Sequence, residues 1–325
     1  MSSGPRVGGT GGQRRVTAVA IASGVAALAL SVAACGGSSG VAGLTRAASG
    51  GAPVAAGASD PSSPGPHSSG ASPAAPPPSA PARTDPLTAA ASYLDGRSGT
   101  VLAAVYDVRT GQTWRLGDGP AQDEASVVKL DILETLLSAS GGAGLSSDDQ
   151  GLAQQMIEDS DNDAATSLWY AAGGTAGVAA YDDKAGLTAT TPSDCVVCSD
   201  FPWPGWGLST TVPGDQLALL RQLIAPGPLL TSAERGYALS LLENVTPDQA
   251  WGVSGGVPAG VTVALKNGWL PLNDDNTDWQ VNSEGWVSGD GRDYLISVLT
   301  TGNPTEQYGI DTISGLSSLI WTALG

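Results

Sequence analysis

The chain has 325 residues, with 14 Lys+Arg against 31 Asp+Glu, three cysteines and a single histidine, His67, in a Pro/Ser/Gly-rich stretch. With no imidazole in any segment able to fold, His-dependent nucleophilic catalysis and His-ligated zinc or iron sites are excluded. The net charge of −17 argues against nucleic acid as a partner, because that binding needs clustered Lys/Arg.

Arg14-Arg15 precede an uncharged run, Val16 to Ala34, that ends in Val32-Ala33-Ala34-Cys35-Gly36. A basic start, an apolar stretch and small residues before a cut site make a secretory signal over residues 1–35. Cysteine directly after the small residues resembles a bacterial lipoprotein lipobox, with Cys35 as the lipidated residue. An uncleaved membrane anchor is the alternative, since 19 apolar residues can just span a bilayer. Residues 36–85 are Gly/Ser/Ala and then Pro/Ser/Ala, too poor in large apolar groups to offset chain entropy, and read as a disordered tether. Residues 1–85 carry a net +3 and residues 86–325 a net −20. The second segment is long enough for one folded domain with its own core.

In the domain, Leu87–Leu94 has helical spacing, and Val101–Val108 with Gln112–Leu116 reads as a hairpin around Arg109-Thr110-Gly111. Helices follow at Val127–Leu137, Ser147–Ile157, Ala164–Ala172 and Gly177–Lys184. An irregular Pro/Asp/Trp-rich stretch, Thr188–Leu208, leads to helices Pro213–Ile224 and Ala233–Leu242, the latter with a capping box, Thr231…Glu234. Strands resume at Val261–Lys266, Asp278–Trp286 and Tyr294–Leu299, and Thr312–Leu324 closes the chain as a helix. This order predicts an α+β fold: an antiparallel sheet built from both chain ends, with an all-helical lobe inserted between them. Cys195 and Cys198 lie in loop sequence, and outside the cell they predict a small-loop disulfide.

Only three lysines occur: Lys129, Lys184 and Lys266. Lys129 stands three residues after Ser126, one helical turn away, so its amine can lie on the face that carries the hydroxyl. With no histidine available, a desolvated lysine is the remaining base able to activate a serine. Ser160-Asp161-Asn162 lies between two helices, as a proton relay and amide holder or simply as an N-cap cluster. Lys266-Asn267-Gly268 ends an apolar strand, either as a cation facing the site or as a hairpin dipeptide turn.

Taken together, Ser-x-x-Lys, Ser-Asp-Asn and Lys-x-Gly in this order resemble the penicillin-recognising serine enzymes, the class A β-lactamases in particular, over most of residues 87–325. From about Trp251 onward the chain also resembles lipoprotein-type serine hydrolases of actinobacteria (Trp251-Gly252-Val253, Leu265–Pro271, Tyr308-Gly309-Ile310-Asp311). The resemblance implies the β-lactamase/transpeptidase-like fold and a set of roles. Ser126 would be the acylated nucleophile, Lys129 its base and Ser160 a proton shuttle to the leaving nitrogen. Asn162 would hold the substrate's amide side chain, and Lys266 with Asn267, ahead of Gly268, would face the substrate carboxylate. The backbone N–H groups of Ser126 and Trp269 would form the oxyanion hole. No metal and no cofactor is implied.

Three departures from the family pattern matter. Asn267 stands where a hydroxyl is usual, and the interval from Ser126 to Ser160 is short. No glutamate lies between Glu158 and Glu234 to position a deacylating water. Asp194 and Asp200 are the candidate deacylation carboxylates, brought inward if the Cys195–Cys198 loop is stapled; otherwise the acyl-enzyme is long-lived. The aromatic stretch 201–206 reads as a lid or as a loop folded onto the surface. The expectation is an exported, monomeric serine acyl-transfer hydrolase, lipid-anchored through Cys35 at the outer face of the cytoplasmic membrane. Its substrate would be a β-lactam or a peptidoglycan-like D-Ala-D-Ala amide. The alternatives are a penicillin- or muropeptide-binding lipoprotein that acylates without efficient turnover, a D,D-peptidase or esterase, and a purely structural surface lipoprotein.

Overall fold

The computed structural model describes residues 84–196, 198 and 205–325. The signal segment with Cys35, nearly all of the tether, Asp200 and residues 201–204 of the aromatic stretch lie outside the described residues. In chain order the elements are α1 (Thr88–Leu94), β1 (Thr100–Asp107), β2 (Thr113–Leu116), β3 (Gln122–Asp123), α2 (Val128–Ala139), α3 (Ser147–Glu158), α4 (Asn162–Ala171) and α5 (Gly174–Ala185). They continue with β4 (Thr210–Thr211), α6 (Pro213–Ile224), α7 (Ser232–Glu243), β5 (Thr262–Pro271), β6 (Trp279–Gly289), β7 (Arg292–Asn303) and α8 (Glu306–Ala323).

Five strands form an antiparallel sheet in the order β2-β1-β7-β6-β5, so both chain ends contribute to it and β5 is an edge. Strand alternation sends successive side chains to opposite faces. Ala104 of β1, Ala264 of β5 and Leu295 of β7 face a core shared with the helical lobe, including Leu130, Ile132, Leu133, Met156 and Leu168. Ala103, Val105, Leu265 and Ile296 face the other way, onto α1 and α8. Ile313, Leu316 and Ile320 recur on α8 at helical spacing and fill that second core.

The helix boundaries follow local chemistry. Pro213 stands in the first turn of α6, where its missing N–H costs nothing. Thr231 and Glu234 form the expected reciprocal capping box on α7, and Thr305 accepts the Tyr308 N–H at the start of α8. Ser126 lies on a 3-10 turn, Ala125–Val127, just ahead of α2. One expectation is corrected. The Lys266-Asn267-Gly268 segment is no turn, because β5 runs on to Pro271 and the reversal comes at residues 273–276.

Helix α2 is buried nearly all round, and it takes Asp131 and Glu134 inside with it. Glu124, Asp182 and Glu284 are buried beside them. Burial, reinforced by the neighbouring acids, pushes these carboxyls upward, Glu124 to about 8 and Asp182 to about 6. The Tyr181 hydroxyl donates to Glu134 at 2.5 Å. The folded chain therefore keeps protons that the unfolded chain releases above about pH 4, and stability falls as pH rises past that point. The buried lysines, lowered in turn (Lys266 to about 7), offset part of this from about neutrality upward. The melting temperature is expected to drop by at least about 5 °C between pH 5 and pH 7. A melting temperature that rises over that interval would contradict the protonated bank.

Candidate active site

Ser126 is held by strain on one side and by close packing on the other. Ala125 before it has φ 50°, a left-handed conformation that a residue with a Cβ adopts only when its surroundings enforce it. Edge strand β5 lies directly against the turn. A Cβ added to Gly268 would stand 2.6 Å from Ser126 N and 2.8 Å from both Glu124 O and Val127 N. Glycine at 268 is thus a requirement of close backbone approach. Asn282 of β6 fastens the same turn, its amide donating to Asp123 O and Glu124 O at 2.8 and 3.0 Å.

Ser160 is the second strained position, with φ 58°, at the junction of α3 and α4. Asp161 caps α4 by accepting the Ala164 N–H at 2.7 Å, which leaves the residues on either side of it to face the site. The Lys129 amine, fully buried, donates to Ser160 O at 2.6 Å, Ser160 Oγ at 3.1 Å and Asn162 Oδ1 at 2.7 Å. Lys266, equally buried, reaches the same hydroxyl from β5, with Nζ to Ser160 Oγ at 2.9 Å and to Asn267 O at 3.0 Å. One hydroxyl therefore sits between two amines. Burial first, and then the other lysine's charge, hold Lys129 well below its ordinary value, with Asp161 pulling the other way. Burial lowers Lys266 to about 7 against the pull of Glu284. The structure brings together Ser160, Asn162, Lys129 and Lys266, and separately sets Gly268 against Ser126. The Lys129 amine spends its hydrogens on Ser160 and Asn162; no hydrogen bond joins it to the Ser126 hydroxyl.

Other residues fall differently from expectation. The Asn267 amide donates to Gln249 O at 2.6 Å and Trp251 O at 3.3 Å and is buried, so it is turned away from any bound carboxylate. Its position on β5 explains this, since its side chain leaves the strand on the face opposite to Lys266 and Gly268. Trp269 points to that same face, where its ring meets Trp251 at 5.8 Å, so only its backbone can serve the site. Asp194 is exposed and makes no hydrogen bond or ion pair among the described residues.

Trp206, which motif spacing did not single out, is 5% exposed and stands over the Lys129 amine, 5.1 Å from amine to ring. Its indole N–H donates to Thr166 Oγ1 at 3.2 Å. The loop that delivers it is fastened at several points. Cys195 and Cys198 are disulfide-bonded, and Gly205 N–H donates to Cys195 O at 2.7 Å. Ser209 Oγ accepts the Ser193 N–H and donates to Trp206 O. An aromatic face beside Lys129 helps to keep the amine desolvated.

A family model described as the beta-lactamase enzyme family matches residues 143–324. That span includes Ser160, Asn162 and Lys266 and begins after Ser126 and Lys129. The chain is 30% identical over 209 residues to proteins named "Putative lipoprotein LppW" from Mycobacterium tuberculosis and Mycobacterium bovis, covering 61% of this chain and 62% of each relative. The match thus spans less than two thirds of those relatives. The crystal structure of the TLA-1 extended-spectrum β-lactamase superposes with a TM-score of 0.65 at 16% identity, covering 74% of this chain and 98% of that one. A class A β-lactamase from Mycobacterium abscessus gives 0.60 at 21%, covering 74% and 99%. At such identities the likeness is one of fold, and its sheet-and-helical-lobe architecture is the one described above.

Proposed function

The chain belongs to the beta-lactamase enzyme family, and from that premise we propose that it is an acyl-transfer serine hydrolase with Ser126 as its nucleophile. The observation that carries this is the line Lys129 Nζ–Ser160 Oγ–Lys266 Nζ, at 3.1 and 2.9 Å, lying beside a strained serine turn. Lys129, once neutral, takes the Ser126 proton as Ser126 Oγ bonds to the substrate carbonyl carbon. The N–H groups of Ser126 and Trp269 are the donors for the developing oxyanion. When the carbonyl–nitrogen bond breaks, Ser160 passes the proton from Lys129 to the leaving nitrogen, and Lys266 holds the Ser160 hydroxyl in place. Asn162 Nδ2, with no partner among the described residues, is free to donate to a substrate carbonyl.

Hydrolysis of the acyl-enzyme needs a water and a base. Among the described residues, the flank of Lys129 is occupied by Trp206, Asp161 is committed to its cap and Asp194 is exposed, while Asp200 lies outside them. A β-lactam should therefore acylate Ser126 and leave slowly, which favours slow turnover or single-turnover binding over fast β-lactam hydrolysis. Time-resolved intact-protein mass spectrometry after mixing with benzylpenicillin or a chromogenic cephalosporin tests this. An adduct of the whole ring-opened β-lactam that persists for many minutes is expected. Rapid colour release with no accumulating adduct would contradict slow deacylation. We further propose that Cys35 carries a lipid that tethers the domain, through residues 36–85, to the outer face of the cytoplasmic membrane. The lipobox-like sequence and the lipoprotein name of the mycobacterial relatives support this.

A further inference from the structure

We infer that this site takes acyl donors with no carboxylate beside the reacting carbonyl, that is, neutral esters or amides; the inference rests on Ser126 as the nucleophile. A bound carboxylate needs an accessible cation or a free N–H or O–H donor. The strand next to Gly268 offers neither on its outward face, because the segment 249–254 covers it. Gln249 O and Trp251 O take both bonds of the Asn267 amide, and Asn267 Oδ1, an acceptor, is left buried without a partner. Gly252, at φ 74°, packs so closely that a Cβ there would lie 2.3 Å from Ser283 Oγ and 3.4 Å from Asn267 Oδ1.

The covering segment is fixed from both sides. Val253 N–H donates to Ser283 Oγ at 2.9 Å, Ser317 of α8 donates to Val253 O at 2.7 Å, and Trp251 packs on Trp269. The Asn267 amide thus has no hydrogen left for a bound carboxylate.

The cations give no substitute. Lys129 and Lys266 are 0% and 1% exposed, and their hydrogens are committed to Ser160, Asn162 and Asn267 O. The six described arginines lie in the turn after α1, on the β1–β2 hairpin, α6, α7 and the start of β7, and Lys184 lies on α5. None of these bonds to β5 or to the Ser126 turn. Residues 86–325 also carry a net charge of −20, whose field opposes the approach of an anion.

The test uses two matched pairs on the purified protein: benzylpenicillin against its methyl ester, and p-nitrophenyl acetate against mono-p-nitrophenyl succinate. Acylation is followed by intact mass and by nitrophenolate release, each rate is normalised to that compound's own hydroxide reaction, and Ser126→Ala supplies the blank. The neutral member of each pair is expected to acylate Ser126 about tenfold faster or more, the factor that corresponds to ~1.4 kcal/mol of unpaired-charge cost. Ser126-dependent acylation in which the anionic members are as fast or faster would overturn the inference while leaving the nucleophile intact. Absence of any Ser126-dependent reaction with all four compounds would overturn the nucleophile itself, and this inference with it.

Discussion

Replacing Lys129 with methionine is expected to slow acylation of Ser126 by a factor of about 10²–10⁴, the contribution of a general base. Methionine keeps most of the buried volume, so the loss is one of chemistry and not of a collapsed helix. In the folded chain the amine is fully buried and sits against the indole of Trp206. Burial and the nearby Lys266 hold it below its ordinary value, which supplies the neutral amine that a base requires. Wild-type acylation should accordingly rise with pH toward neutrality as the lysine pair loses a proton, and the Met variant should lack that limb. Acylation rates from stopped-flow or quenched mass spectrometry over pH 5 to 8, with melting temperatures for both proteins, check this. A variant that folds and still acylates at the wild-type rate removes Lys129 from the chemistry.

The second large effect concerns a residue with no side chain. Gly268→Ala is expected to cost about a hundredfold in acylation rate with the sheet intact. The new methyl group would meet Ser126 N at 2.6 Å and Glu124 O and Val127 N at 2.8 Å. All three are backbone atoms with no rotamer to escape into, so the turn or the strand must shift. A displacement near 1 Å at the nucleophile can cost about 10² in rate. Gly151→Ala, where nothing lies within 4 Å of the added atom, is the matched control and should be silent or slightly stabilising. Equal activity of Gly268→Ala and wild type would mean that Ser126 does not depend on the approach of β5.

Much of the architecture was legible because local signals agreed with the final packing. Pro213 and the Thr231–Glu234 box mark helix starts whatever surrounds them. The hairpin of β1 and β2 follows from two short strand-like runs around Gly111. The order of strands and helices carried the sheet built from both ends. What the sequence hid was set by tertiary contact. Lys266-Asn267-Gly268 has turn chemistry, yet Gly268 serves close packing inside a strand. Asp131 and Glu134 look like the polar face of a surface helix, but α2 has no surface face there.

The site divides in the same way. Spacing along the chain could name Lys129, Ser160 and Lys266, since each motif has its own order and interval. Spacing could not say that both amines would converge on one hydroxyl, because that depends on β5 lying across from the α3–α4 junction. Nor could it say that Trp206 would turn inward onto Lys129, or that segment 249–254 would claim the Asn267 amide. The first is settled by a fastened loop and the second by strand parity, neither of which leaves a local signature.

The most direct measurement of the central claim is peptide mapping of the acyl adduct. The purified protein is acylated with benzylpenicillin or p-nitrophenyl acetate, quenched in acid, digested and sequenced by tandem mass spectrometry. Ser160 is the informative rival, because its hydroxyl, not that of Ser126, lies within hydrogen-bond distance of both lysines. The expected result is acyl mass on Ser126 alone, lost in Ser126→Ala. Acyl mass on Ser160, or adduct that survives in Ser126→Ala, would contradict the assignment of the nucleophile.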